Sequence, residues 1–194
     1  MSNKSYHHGN LRNALVEKGI ELINQKGSEQ LSLRKVSALC GVSQTAPYSH
    51  FQSKEDLLEA MQEYVIQQFM EVLEHAINSC PKQNDPDVLI QMGKNYVLFF
   101  INHPQYFQFL FSHTNIEMKL SLDADEVKNF PPLELLKTIV VRIYGEAGMP
   151  NEKMEDTIIS LWATVHGLAA IATMKNVHYD KDWEMKIENI IRNR

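Results

Sequence analysis

Residues 31–56 read LSLRKVSALCGVSQTAPYSHFQSKED, and this stretch decides the fold. Ser32 is placed to cap a helix, because a serine oxygen can accept from a free backbone N–H of the first turn. Leu31 and Val36 stand at the two positions of a hydrophobic staple around it. A short helix then runs over 33–40. Gly41 follows where a left-handed residue is wanted, since glycine carries no Cβ penalty there. Ser43 is the next expected cap, so a second helix starts three residues after the first ends. Two helices joined by a tight glycine-containing turn make the helix-turn-helix pattern. In its DNA-binding versions the second helix enters the major groove. Ser53 and Asp56 form a further S-x-x-D cap for a third, longer helix.

Outward from this stretch, the chain reads as helical throughout. Upstream, residues 1–8 are a polar arm, and His7-His8 is too short to argue for metal. A helix over 10–25 carries Leu11, Leu15, Val16, Ile20, Leu22 and Ile23 at core-face spacing. Gly19 inside it points to a closely packed backbone. Downstream, a helix over 54–78 places Leu57, Met61, Val65, Phe69, Val72 and Leu73 on one face; at 1.5 Å per residue it is about 35 Å long. Pro81 and Pro86 break it. Helix resumes over 87–102, where YVLFFI is apolar all round and belongs at the centre of a body. Before Pro104, His103 disfavours helix. An aromatic helix is expected over 105–112, an irregular stretch over 114–129, and a helix over 131–146. A long helix capped by Asn151 runs to 175, and a last one capped by Asp180 runs to 191. No segment alternates with period two. The fold class is therefore all-α, with about nine helices: a three-helix head over 1–53 and a helical body over 54–194.

Composition narrows the function classes. Hydrophobic residues make up 44% of the 194, an ordinary globular value. Cys40 and Cys80 form no CxxC pair, which points to reduced cytosolic thiols rather than a disulfide framework. The first ten residues lack the apolar core of a signal peptide. The longest apolar stretch, 158–174, is interrupted by Ser160, Thr164, His166 and Thr173 and is short of a membrane span; it reads as a buried helix. Through Glu55 there are seven Lys/Arg against four acids, a net of +3, while the remainder nets −8. A basic front on an acidic body suits a small DNA-reading head on a regulatory body.

At 41–57, GVSQTAPYSHFQSKEDL, the residues resemble the TetR family of bacterial transcriptional repressors. The shared elements are Gly41-Val42-Ser43, Tyr48, His50-Phe51 and Ser53-Lys54-Glu55-Asp56-Leu57. This resemblance covers roughly residues 9–60. A second element, LWATVHGLAA at 161–170, is similar to the Trp-x-x-x-His-Gly element of one branch of TetR-family C-terminal domains, and the aromatic segment at His103-Pro104 fits that branch. Two residues depart from the pattern. Ser37 stands where the family has a small alanine, and Pro47 lies in the first turn of the recognition helix.

Roles follow residue by residue. Gln44, Thr45 and Ala46 open the recognition helix, where side chains reach base edges. Glutamine can bond an adenine edge bidentately, and a threonine or alanine methyl can meet a thymine methyl. Ser43 caps that helix. The resemblance makes Tyr48 and His50 phosphate contacts. Lys54 sits at a helix N-terminus, where a cation opposes the macrodipole, so a nearby phosphate explains it better. Ser32 and Arg34 face the opposite backbone edge, and Phe51 is core. In the body, Phe99, Phe100, His103, Tyr106, Phe107, Phe111, Trp162 and His166 make either a packed aromatic core or a cavity with His103 and His166 as polar groups. The resemblance implies a small apolar effector there. Among His103, His113 and His166 there is no metal-ligand spacing, and no cofactor is expected. Ser160, Ala163, Thr164, Gly167, Ala170 and Ile171 fall on one side of the long helix. Small residues let backbones approach, so this face, with the last helix, is expected to form a four-helix dimer interface.

The resulting expectation is a cytoplasmic homodimer that binds a palindromic operator in double-stranded DNA, with recognition helices about 34–36 Å apart. The resemblance makes it a repressor released by a small molecule, and no membrane is involved. Two rivals stand beside it: a ligand-independent DNA-binding protein with a filled core, and a small helical enzyme using His103 or His166 as base.

Overall fold

The computed structural model describes residues 8–122 and 129–193. The polar arm over 1–7 and the 123–128 part of the expected irregular stretch lie outside the described residues. Within them there are eight α-helices and no strand: α1 (His8–Lys26), α2 (Leu33–Leu39), α3 (Lys54–Asn78), α4 (Asp87–Asn102), α5 (Pro104–His113), α6 (Pro131–Tyr144), α7 (Asn151–Thr173) and α8 (Trp183–Arg192). One-turn 3-10 helices at Ser28–Gln30 and Ala46–Ser49 complete the list. The chain divides into two compact units. The first runs to Val65 and takes in Gln108–Asn115; the second comprises Ile66–Phe107 and Ile116 onward.

In the first unit, α1 buries Leu15, Val16, Ile20 and Ile23 completely. Each is worth about 1.5–3 kcal/mol relative to exposure. Gly19 lets α3 approach, but through a side chain rather than a backbone: a Cβ there would lie 2.8 Å from Met61 Sδ. Ser32 caps α2 as expected, accepting from the Lys35 N–H at 3.2 Å. Gly41 has φ 68°, the left-handed conformation that ends α2. Ser37 is fully buried and donates to the Arg34 carbonyl at 2.9 Å, so its hydroxyl is satisfied without a partner from another element.

The element after Gly41 differs from expectation. Instead of an α-helix capped by Ser43, the chain makes a 3-10 turn over Ala46–Ser49. The cause is Pro47, which has no N–H to give the Ser43 carbonyl. That carbonyl accepts from Ala46 N–H at 3.1 Å instead, and Tyr48 N–H follows the same three-residue spacing to Thr45. Ser43 Oγ pairs with Thr45 Oγ1 at 3.1 Å rather than capping.

In the second unit, α4 packs against α6, α7 and α8. Gly93 sets the closeness of this crossing. A Cβ there would come within 3.0 Å of Val165 Cγ1 on α7 and 3.1 Å of Ile191 Cδ1 on α8. Polar ties rim the same crossing: Lys94 reaches Glu184 at 2.7 Å and Glu188 at 3.3 Å, and Arg192 reaches Asp87 at 2.7 Å.

Two expected caps shift. Pro150, not Asn151, precedes α7 and offers no side-chain bond; proline at a helix start needs none for its own missing N–H. The cap of α8 is Asp182, accepting from the Glu184 and Met185 N–H groups, two residues beyond Asp180. Among the described residues, α7 is the one helix long and apolar enough to cross a membrane. It is a core helix on one side only, burying Met154, Ile158, Leu161, Trp162, Val165 and Ala169. The expectation of a buried helix holds for that face and not for the opposite one.

Candidate functional site

The head presents a short polar edge on a rigid base. Pro47 and Phe51 are buried, and they hold the turn between them by the Phe51 N–H bond to the Pro47 carbonyl at 2.9 Å. From this base Ser43, Gln44, Thr45 and Tyr48 are exposed and Ala46 is half-buried. Tyr48 is 59% exposed, a large ring with nothing of its own chain over most of it. Across the turn, Arg34 on α2 is exposed and Ser32 is half-buried at the cap. Lys54 is the first residue of α3.

Two features refine the expected contacts. His50 is half-buried, and its Nε2 is enclosed without a hydrogen-bond partner. The His50 N–H is donated to the Pro47 carbonyl at 2.9 Å, so a contact to phosphate from this residue would have to use Nδ1. At the start of α3, Ser53 Oγ accepts from the Asp56 N–H at 3.0 Å, but Asp56 Oδ2 reaches the Gln52 N–H at 2.8 Å rather than that of Ser53. The carboxylate thus braces the residue before the cap. One neighbour was not legible in the sequence: the Arg12 guanidinium of α1 lies 5.5 Å from the Phe51 ring centroid. Thirty-nine positions separate the two, and no local pattern links them.

In the second unit most of the expected aromatic residues do meet. Phe99 lies 5.2 Å from His103 and 6.0 Å from Tyr106, and His103 stacks on Tyr106 at 5.1 Å. Phe100 meets Phe107 at 5.2 Å, and Phe107 meets His166 at 5.1 Å. Trp162 lies parallel to His166 at 6.3 Å. Phe111, grouped with them by its sequence position, falls in the first unit.

The centre of this cluster is a residue the sequence reading passed over. Tyr96 is buried at 2% exposure, with its Oη 3.1 Å from His166 Nδ1. Burial pushes the Tyr96 hydroxyl well above its ordinary range and pulls the His166 imidazole below its own. Both are neutral near pH 7. Tyr96 also stands edge-on to Trp162 at 5.5 Å and to Phe69 at 4.9 Å. The available signal was a single polar tip inside the otherwise apolar run YVLFFI. Phe69, expected on the apolar face of α3 but not in this cluster, joins it, as does Phe130, edge-on to Trp162 at 5.9 Å.

Beside this cluster lies a narrow cleft between α4, α6 and α7, with room for about 20 Å³ and lined by Leu89, Met92, Tyr96, Leu136, Trp162 and Val165 among others. Here the aromatic cluster opens onto space, through Tyr96 and Trp162. A larger, open groove of about 540 Å³ lies elsewhere in this unit, bordered by His75, Cys80, Lys82, Asp85 and Asp87. None of the expected effector residues borders it.

On α7, Ser160, Ala163 and Ile171 are exposed, and Thr164, Gly167 and Ala170 are half-buried. Thr164 Oγ1 donates to the Ser160 carbonyl at 2.8 Å. A Cβ added at Gly167 would meet nothing within 4 Å, so the small residues of this face are not filled by the chain itself. Other exposed apolar side chains of these two helices, which pack together, are Ile159 on α7 and Met185 and Ile190 on α8.

A capped helix, a left-handed glycine, a tight turn and a third helix define a helix-turn-helix regulatory protein with a separate helical body. Comparisons with known proteins agree on which kind. Residues 15–61 match the family described as bacterial regulatory proteins, tetR family, and residues 89–192, over half of the chain, match the tetracyclin repressor-like C-terminal domain. The chain belongs to the TetR family. It is 32% identical over 74 residues to the class G tetracycline repressor protein of Vibrio anguillarum, and 34% identical over 74 residues to the class C protein of Escherichia coli. Each match covers 38% of this chain and spans about a third of the relative's length. Two solved structures share the fold over nearly the whole chain. One is a tetR-family regulatory protein from Rhodococcus RHA1 (16% identity, 94% of this chain and 93% of that one, TM-score 0.68). The other is the transcriptional regulator FadR of Bacillus subtilis in complex with stearoyl-CoA (16% identity, 93% and 95%, TM-score 0.67).

Proposed function

We propose that this protein is a sequence-specific transcriptional repressor that binds a palindromic operator as a homodimer and is released by a small-molecule effector. The observation that carries the DNA-binding part is the exposed polar edge Ser43–Gln44–Thr45–Tyr48 on the buried Pro47 base. Gln44 and Thr45 read base edges. Tyr48, Arg34 and Lys54 contact phosphates, with Lys54 at the positive N-terminal end of α3. Ser32, Ala46 and His50 complete the contact set, His50 through its unburied side.

The homodimer rests on the uncovered small-residue face of α7 with the exposed apolar side chains of α8. The effector site is assigned to the second unit, around Tyr96, Trp162 and His166. That a neighbour of the same fold is in complex with stearoyl-CoA supports the reading that this chain answers to a small molecule. A ligand that favours a different separation of the two heads lowers operator affinity, with a coupling of about 1–3 kcal/mol. The intended location is the cytoplasm, where an operator is reached.

The test is selection of DNA fragments from a random pool by the full chain, followed by competition binding. Recovery of a two-fold-symmetric motif with half-sites one helical turn apart is expected. A pool that stays unenriched after several rounds would sink the proposal.

A further inference from the structure

The narrow cleft in the second unit carries an inference about the class of effector, and it rests on the reading that this unit binds one. Its lining combines aliphatic side chains with Tyr96 and Trp162, and no charged residue is part of it. Two cations neighbour lining residues in sequence, Lys94 after Gly93 and Lys137 after Leu136, and both are already paired: Lys94 Nζ with Glu184 at 2.7 Å and Glu188 at 3.3 Å, and Lys137 Nζ with Glu134 Oε1 at 2.9 Å. The polar side-chain groups of the lining residues are the Trp162 indole N–H and the Tyr96 hydroxyl, whose Oη lies 3.1 Å from His166 Nδ1 behind it. All three are neutral near pH 7, so none supplies a counter-charge. Transferring an unpaired carboxylate or phosphate into such a lining is far costlier than transferring a hydroxyl that finds a partner. The cleft holds room for about one water, so an occupant must displace side chains. Met92, buried in the lining, is unbranched and adapts its shape most readily.

We propose that the effector is an uncharged, predominantly apolar molecule with a single hydroxyl or carbonyl group, entering between α4 and α7 and hydrogen-bonding at the Tyr96–His166 pair. An acyl chain bearing a free carboxylate or a nucleotide phosphate is disfavoured at this site.

The test compares octan-1-ol, octanoate and octanoyl-coenzyme A on the full chain at pH 7.5. The chain has two tryptophans, so Trp183→Phe leaves Trp162 as the fluorescent reporter inside the cleft. Octan-1-ol is expected to change Trp162 emission saturably, with a Kd at least tenfold below that of octanoate or the coenzyme A ester. Tyr96→Phe removes only the hydroxyl and is expected to weaken octan-1-ol about fivefold, the scale of one neutral hydrogen bond. Three results would overturn the proposal: octanoate or its coenzyme A ester binding as tightly as the alcohol, no saturable response to the alcohol, or unchanged alcohol affinity in folded Tyr96→Phe. DNA retention by the same preparation, measured in parallel, separates these from failure of the repressor reading. A preparation that ignores octan-1-ol yet holds its selected DNA loses the effector class alone.

Discussion

Tyr48 and Gln44 sit a turn apart on one edge of the head, yet they are expected to fail differently when truncated. Tyr48 is 59% exposed, so Tyr48→Ala removes little packing and is expected to change stability by no more than about 0.5 kcal/mol. Tyr48 is a proposed phosphate contact, so its loss is expected to weaken binding to all DNA sequences alike, because phosphates carry no sequence information. Gln44→Ala is expected instead to relax preference at one base position by about 1–3 kcal/mol. Competition of selected against random duplex separates the two; a double variant that binds as wild type does would remove the interface from this edge. His166 offers a different residue-scale test. Burial holds its imidazole pKa below the ordinary 6.5, so the unfolded chain takes up a proton first as pH falls. Stability is therefore lost as pH drops below about 6.5, not as it rises. Urea midpoints at pH 8 and pH 5.5 check the sign, and His166→Gln is expected to narrow the difference between them.

At the scale of elements, local chemistry decides how well a segment can be read. The α3 and α4 boundaries, Lys54–Asn78 and Asp87–Asn102, coincide with the expected ones because proline and polar clusters punctuate them. The Ser32 cap was legible for the same reason, and Ser32→Ala is expected to cost about 1 kcal/mol of head stability by thermal melt. The recognition segment was misjudged because one missing N–H at Pro47 acts on the carbonyl four residues back, and the ladder tightens to three-residue spacing. Helix α8 shows the same effect of short range: Asp180 and Asp182 are both plausible caps in sequence, and only Asp182 accepts from two free N–H groups. What sequence could not show is how elements cross. Gly93 reads as a flaw in an apolar helix, worth about 1 kcal/mol against alanine. In place it is the contact point of α4 with α7 and α8, where a Cβ would press on Val165 and Ile191. Overpacking of this kind costs about 1–3 kcal/mol, which outweighs the helix gain. Gly93→Ala is expected to lower the urea midpoint, and a rise would mean the crossing yields freely.

For the whole molecule, the deciding surface is the uncovered side of α7 with α8. The small-residue stripe was legible in the sequence, but the choice between packing within one chain and packing between chains was not, since both favour Gly and Ala. The structure narrows it: Ala163 is exposed, Gly167 has open space above it, and Ile159, Ile171, Met185 and Ile190 carry apolar area to solvent. Large apolar side chains exposed on two packed helices, beside open small residues, suit a partner surface. A membrane is a poor occupant, because the other side of α7 is already committed to the core through Ile158, Leu161, Trp162 and Val165. A second copy fits better, since a two-fold contact sets the same patch against itself. Ala163→Arg places a charge on this face without touching the buried side, so the monomer is expected to fold with unchanged helicity. Its sedimentation mass is expected to fall to one chain of 22.4 kDa where wild type gives twice that. Operator affinity falls with it, because each head then holds one half-site without the other. A wild-type monomer at micromolar concentration, or an Ala163→Arg variant that stays dimeric, would place the interface elsewhere.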